Sequence, residues 1–146
     1  DNLEAAIQAF EQALTVYTHA AFPTDWAGTQ SNLGAAYATR IRGERADNLE
    51  AAIAAYQQAL TVRTRAAFPV DYALTTYNLA LLYGDLSDEA RERGDSEQCR
   101  AQRDAALAAM RATLDVYTAD GFPDDHDDAL REIARIEAID CDDEGG

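Results

Sequence analysis

The chain has 146 residues, 47% of them apolar, and a formal net charge of −15 from 27 acidic and 12 basic side chains. This length supports one domain with a buried core, no apolar run approaches the ~20 residues of a membrane-spanning helix, and the start does not read as a signal peptide. Residues 120–146 hold 11 of the acidic residues and 2 basic ones, a distribution that argues against binding nucleic acid or an anionic membrane, both of which need a basic face.

One stretch occurs three times: ALTVYTHAAFPTDWA from Ala13, ALTVRTRAAFPVDYA from Ala59 and TLDVYTADGFPDDHD from Thr113. Each copy keeps Leu, Val and Thr at alternate positions, then Phe-Pro, then Asp two residues after the proline. The first two copies are 46 residues apart, and DNLEAAI at Asp1 recurs at Asp47 with the same offset. The third copy is offset by 54, so eight extra residues lie between Tyr83 and Leu107. Self-similarity at a fixed period is the mark of a repeat array. A chain that begins inside such a repeat is expected to be a fragment of a longer protein.

The first helix is predicted over 2–21. Leu3, Ile7, Phe10, Leu14 and Tyr17 fall three and four residues apart and form one apolar stripe. Asp1 with Glu4, and Asp47 with Glu50, read as capping boxes. Pro23 suits the first position of a helix, where a missing N–H costs nothing, and Asp25 places negative charge near the positive end of the helix dipole. The second helix is predicted over 23–42, ending at Gly43. The third, over 48–67, repeats the first. The fourth starts at Pro69 and runs to Arg93, with Gly94 as its break. The eight-residue insertion then adds about two turns, roughly 12 Å at 1.5 Å per residue. Gly84 costs about 1 kcal/mol within a helix, and a break there followed by a short extra helix is the alternative. Asp95 with Gln98 opens the fifth helix, over 96–119. The sixth spans Pro123 to Ile139, and an acidic tail, 140–146, is expected to be disordered. Cys99 and Cys141 form no CxxC pair, so reduced cysteines in a cytoplasmic chain are the expectation.

The second helix contains NLGAAY, Asn32 to Tyr37, and the fourth contains NLALLY, Asn78 to Tyr83. The helices that follow them carry Ala52, Tyr56 and Ala59, then Ala106, Met110 and Thr113. Leu-Gly-x-x-Tyr followed by Ala-x-x-x-aromatic-x-x-Ala resembles the tetratricopeptide repeat, in the variant of about 42 residues found in kinesin light chains and many bacterial multi-repeat proteins. The resemblance covers 1–139. It implies an all-α, right-handed superhelix of antiparallel helix pairs, about six helices in all. Residues 1–22 are then an orphan second helix of a pair, 23–67 a repeat, 69–120 a repeat with the insertion, and 123–139 a terminal capping helix. Glu132 and Glu137 stand in that last helix where Asn32 and Tyr37 stand in the first copy, and a polar outer face suits a cap.

In this family the first helix of each pair lines the concave surface. The resemblance therefore implies a groove containing Asn32, Ser31, Ala35 and Thr39, with Gly28 beside them, Asn78, Leu74, Tyr77, Leu81 and Asp85 on the fourth helix, and Glu132 on the sixth. An amide both donates and accepts, so Asn32 and Asn78 suit holding the backbone of an extended peptide. The alternative is that each bonds a neighbouring helix and fixes the stacking. Tyr77 and Leu81 are candidates for an apolar pocket. The family's carboxylate-binding groove uses Lys and Arg, but this chain has no Lys and position 132 is Glu. A neutral or basic protein or peptide partner is therefore expected. Arg40 and Arg42 are expected to form salt bridges or caps. His126, within DDHDD, reads as part of a solvated helix start rather than a metal ligand, and Trp26, Tyr72 and His126 as packing between repeats. Neither a catalytic constellation nor a cofactor motif stands out. The expectation is a non-catalytic interaction scaffold. Its competitors are a spacer or regulatory segment beside a separate effector domain, and self-association through the unpaired N-terminal helix.

Overall fold

The computed structural model describes residues 1–142, and these form six α-helices with no strand. They are α1 (Asn2–Val16), α2 (Pro23–Thr39), α3 (Arg45–Leu60), α4 (Pro69–Glu92), α5 (Ser96–Leu114) and α6 (Pro123–Glu137). No described helix is long and apolar enough to cross a membrane. The chain divides into two compact units, Asp1–Pro69 and Val70 onward.

The three Phe-Pro motifs lie at corners, as expected, and the helices before them end sooner than predicted. α1, α3 and α5 stop at Val16, Leu60 and Leu114, not at 21, 67 and 119. The motif threonine explains the early stop. The hydroxyls of Thr18, Thr64 and Thr118 accept from the backbone N–H groups of Ala21, Ala67 and Gly121 at 3.2, 3.3 and 3.2 Å. The threonine carbonyls accept from Phe22, Phe68 and Phe122 N–H. Threonine thus offers the backbone a turn in place of continued helix, and the proline that follows restarts it.

In the first unit α1 and α2 run antiparallel. Glu4 pairs with Arg40 through two bonds of 2.8 and 2.9 Å, and the Tyr37 hydroxyl donates to Glu11 at 2.9 Å. The guanidinium holds the Glu4 carboxyl below its usual range. Asp1 caps α1 by accepting from Leu3 N–H at 2.9 Å, while Glu4 is committed to Arg40. The apolar stripe of α1 packs on α2: Ile7 is buried with Leu33 and Ala36, and Leu3, Phe10, Leu14 and Tyr37 surround them. Tyr17 meets Phe22 edge-on in the corner.

α2 packs against α3 through Gly34, where an added Cβ would stand 3.1 Å from the Tyr56 ring. α3 begins at Arg45, three residues earlier than expected, so Asp47 lies in its first turn and does not cap it. The cause is Asn48, which is buried. Its amide donates to the carbonyls of Arg40 and Arg42 at 3.3 and 2.7 Å. The loop, with Gly43 at φ 80°, is folded onto the helix start.

In the second unit α4 continues through Gly84 without a break. A Cβ on Gly84 would meet Arg135 and Ile136 of α6 at 3.4 and 3.6 Å, so the glycine sits where the two helices come close. The insertion is taken up as helix length: α4 has 24 residues and α2 has 17. Gly94 at φ 75° ends the chain's longest helix, with Gly94 and Asp95 N–H bonded back to the Arg91 and Ala90 carbonyls, the closure that needs a left-handed residue. Asp95 caps α5 by accepting from Gln98 N–H at 3.1 Å, as the sequence implied. α4 and α5 are antiparallel: Ser87 donates to the Cys99 carbonyl at 2.8 Å, and Thr76 and Thr113 share a buried hydroxyl pair at 2.8 Å. Ala80, Ala90, Cys99, Ala106, Met110, Ala129 and Ile136 form the core.

The cysteines overturn the reduced-thiol expectation. Cys99 and Cys141 form a disulfide across 42 residues of sequence. Sequence distance hid a spatial neighbour, because α6 runs back along α5. The start of the expected tail is likewise built into the second unit. Ile139 and Cys141 are buried, Arg103 donates to the Ile139 carbonyl at 2.9 Å, and Arg100 pairs with Asp142. The rest of that expected tail, residues 143–146, lies outside the described residues.

Candidate functional site

The candidate groove residues fall on both units, and each unit places its own. On α2, Asn32, Ala35 and Thr39 are exposed, and Ser31 is half-buried. The Thr39 hydroxyl is turned back on its own helix, 3.2 Å from the Ala35 and Ala36 carbonyls. Ser31 accepts from Arg63 Nη1 at 3.1 Å, and the same guanidinium covers Gly28, 3.4 Å from where its Cβ would stand. On α4, Asn78 is half-buried. Among the described residues neither Asn32 nor Asn78 has a side-chain hydrogen-bond partner. They differ in this from Asn48, whose amide is spent on the loop before α3.

Leu74 and Tyr77 line a cleft within the second unit. It has a volume of about 120 Å³ and is completed by Tyr117, Asp125 and Asp128. Leu81 does not join them. It packs against the core of the second unit, as Tyr77 also does, one helical turn further along α4. Glu132 is half-buried and accepts from Arg135 Nε at 2.7 Å. It sits close enough to Tyr77 for its charge to be felt there, but it does not line the cleft.

The floor of the cleft is aromatic and its rim acidic. Tyr117 is 8% exposed, with its ring 5.1 Å from Phe122. Burial, then the charges of Asp125 and Asp71, push its phenol up from the ordinary value. Tyr77 is raised for the same first reason, with Glu132 adding to it and Arg131 and Arg135 opposing. Asp128 pairs with Arg131 on its own helix. Asp71 and Asp125 have no side-chain ion pair or hydrogen bond among the described residues. Such a site presents acceptors and π-faces and no basic group at its floor, which suits a cation.

Three lining residues were not among the expected set: Tyr117, Asp125 and Asp128. Asp125 did carry a signal, as the aspartate that follows each Phe-Pro by two. Its helix-start charge hid its second role. Tyr117 sits at the position held by Tyr17 and Arg63 in the other copies, and a position that changes type reads as surface.

Among the described residues the side-chain hydrogen bond of His126 is local. Its Nδ1 lies 2.8 Å from the Tyr117 carbonyl, so it closes the corner from which α6 starts. Trp26 packs edge-on to His19 at 4.6 Å, also within its own corner. A second cleft, lined by Asp88, Arg91, Arg135, Ile139 and Asp140 among others, holds two arginines already paired with Asp88 and Glu132.

Compared with protein-family models, with curated proteins and with solved structures, the chain matches none.

Proposed function

We propose that the chain is a non-catalytic interaction scaffold of tetratricopeptide-like repeats that binds an extended peptide of a partner protein. The observation that carries this reading is the pair Asn32 and Asn78. They occupy equivalent positions of α2 and α4, 46 residues apart, with amides that no described residue engages. A free amide can accept from one peptide N–H and donate to one carbonyl, and such contacts hold a backbone without reading its sequence. Selectivity then comes from neighbouring side chains, and the acidic surroundings of α6 favour a neutral or basic partner. The cytoplasmic placement rested partly on reduced cysteines. The bonded Cys99 and Cys141 instead fit a compartment that tolerates disulfides, or a cytoplasm oxidising enough to keep this one.

The test is a screen of the full chain against an arrayed library of capped, unstructured peptides, in parallel with the Asn32→Ala, Asn78→Ala double variant. A subset of peptides should bind the parent chain, and the variant should bind them about tenfold more weakly, the loss expected for a few unmade hydrogen bonds. Its helical circular dichroism should stay unchanged. Binding indifferent to both replacements, or no binding at all, would overturn the proposal.

A further inference from the structure

The cleft of the second unit joins two features that a solvated acidic helix start does not explain. The first is Tyr117. Its side chain is more than nine-tenths buried and lines the cleft, yet its hydroxyl has no hydrogen-bond partner among the described residues. The ring is buried while the hydroxyl keeps access to solvent, and the part of the side chain that stays accessible lines the cleft, where a ligand could supply the partner. The second is the charge around it. Asp125 lines the cleft and Asp71 lies near enough to act on Tyr117, both without an ion pair among the described residues. Asp128 and Glu132 share their charge with Arg131 and Arg135. Four carboxylates against two guanidiniums leave the surroundings of the two tyrosines negative.

Building on the peptide-scaffold reading, we propose that this cleft takes one arginine side chain of the bound partner. A guanidinium is planar and carries five N–H donors. It can lie against a tyrosine face while its edge serves several acceptors at once, here the Asp125 and Asp128 carboxylates and the Tyr117 hydroxyl. A lysine ammonium is a compact point charge, strongly hydrated, and matches that spread of acceptors less well. The chain carries its own precedent. In the first unit the residue that stands to α2 and α3 as Tyr117 stands to α4 and α5 is Arg63, and its guanidinium lies over Gly28 and Ser31, the equivalents of Leu74 and Tyr77. There the chain supplies the guanidinium from within. In the second unit a tyrosine replaces it, and the space stays open.

The experiment measures binding of two probes to the full chain by titration calorimetry. One is a capped alanine-based peptide with a single central arginine. The other carries citrulline at that place, which keeps shape and loses charge. The parent chain should prefer the arginine peptide by about tenfold, as charge-assisted hydrogen bonds are stronger than neutral ones. The Asp125→Asn, Asp128→Asn double variant should lose most of that preference. Tyr117→Phe, which keeps the ring, should lose part of it and serves if the double variant does not fold. Equal binding of both probes would overturn the arginine site and leave the scaffold reading standing. A preference that survives in the folded variants would overturn the cleft as its location. No binding of either probe would overturn this proposal and count against the scaffold reading too.

Discussion

A methyl group placed on Gly34 would lie 3.1 Å from three ring carbons of Tyr56, closer than real Cβ contacts normally come. Tyr56 is itself 5% exposed and has little room to move. Gly84 differs, because its nearest neighbours stand at 3.4 and 3.6 Å, ordinary contact distance. Alanine gains about 1 kcal/mol over glycine within a helix, whereas overpacking a dense core costs about 1–3 kcal/mol. Gly34→Ala is therefore expected to destabilise by up to about 2 kcal/mol, and Gly84→Ala to be neutral or stabilising by up to about 1 kcal/mol. Urea denaturation of the two variants checks the opposite signs. The Leu-Gly-x-x-Tyr spacing in the sequence already pointed to a close approach at Gly34. Nothing in the sequence pointed to Ile136 as the neighbour of Gly84, since a single chain does not announce which helix returns to it. At the position of Gly34 the second copy has Ala80, and at that of Tyr56 it has Met110, both in one buried cluster. The added methyl and the flexible thioether are a matched exchange.

Among the helices, the starts at the Phe-Pro corners were legible and the ends before those corners were not, although Gly94 did mark the end of α4. Proline and the aspartate after it fix the starts of α2, α4 and α6 by simple physics: a fixed φ, no wasted donor and a favourable charge. The ends of α1, α3 and α5 run into alanine-rich corners whose composition favours helix. What stops them is a threonine hydroxyl, and the same residue type reads as neutral in a periodicity count. The start of α3 moved for a similar reason, because Asn48 binds two loop carbonyls that no local pattern reveals. The inward faces of α2 and α4 were clear from the repeat. Leu33 and Leu79 are 7% and 4% exposed. Leu33→Ala and Leu79→Ala should each cost about 2–5 kcal/mol, the range for truncating a buried leucine, read from the shift in urea midpoint. A midpoint unchanged in either variant would contradict that placement.

At the scale of the whole chain, the repeat announced six helices and gave no direct sign of the cleft. The cleft depends on Tyr117, Leu74 and Asp125 being brought together by three different elements, two of which pack only because α6 returns alongside α4. The family resemblance placed Leu81 on the groove face beside Leu74 and Tyr77. The side of α4 that faces α5 and α6 was not visible until those helices were placed, and Leu81 lies on it. The cysteines show the same limit. Spacing alone gave no reason to join Cys99 to Cys141, and only the antiparallel course of α5 and α6 brings them to a Cα separation of 5.6 Å.

That bond has a mechanical meaning. A chain held at its two ends and stretched cannot pay out the length between the joined residues. The bridge spans 42 residues, and an extended chain reaches at most ~3.3–3.6 Å per residue, so about 140 Å of slack is locked away while the bond holds. Force on the ends bypasses α6 and nearly all of α5, and the corner before α6, which carries Tyr117 and leads to Asp125, stays inside the closed ring. Single-molecule stretching should therefore give a full extension about 140 Å shorter in the oxidised chain than after reduction. Equal lengths in the two conditions would mean that the thiols are not joined in solution. A partner that tugs on this chain would then meet a segment that gives way, α1 to α4, and a loop that keeps its ends together.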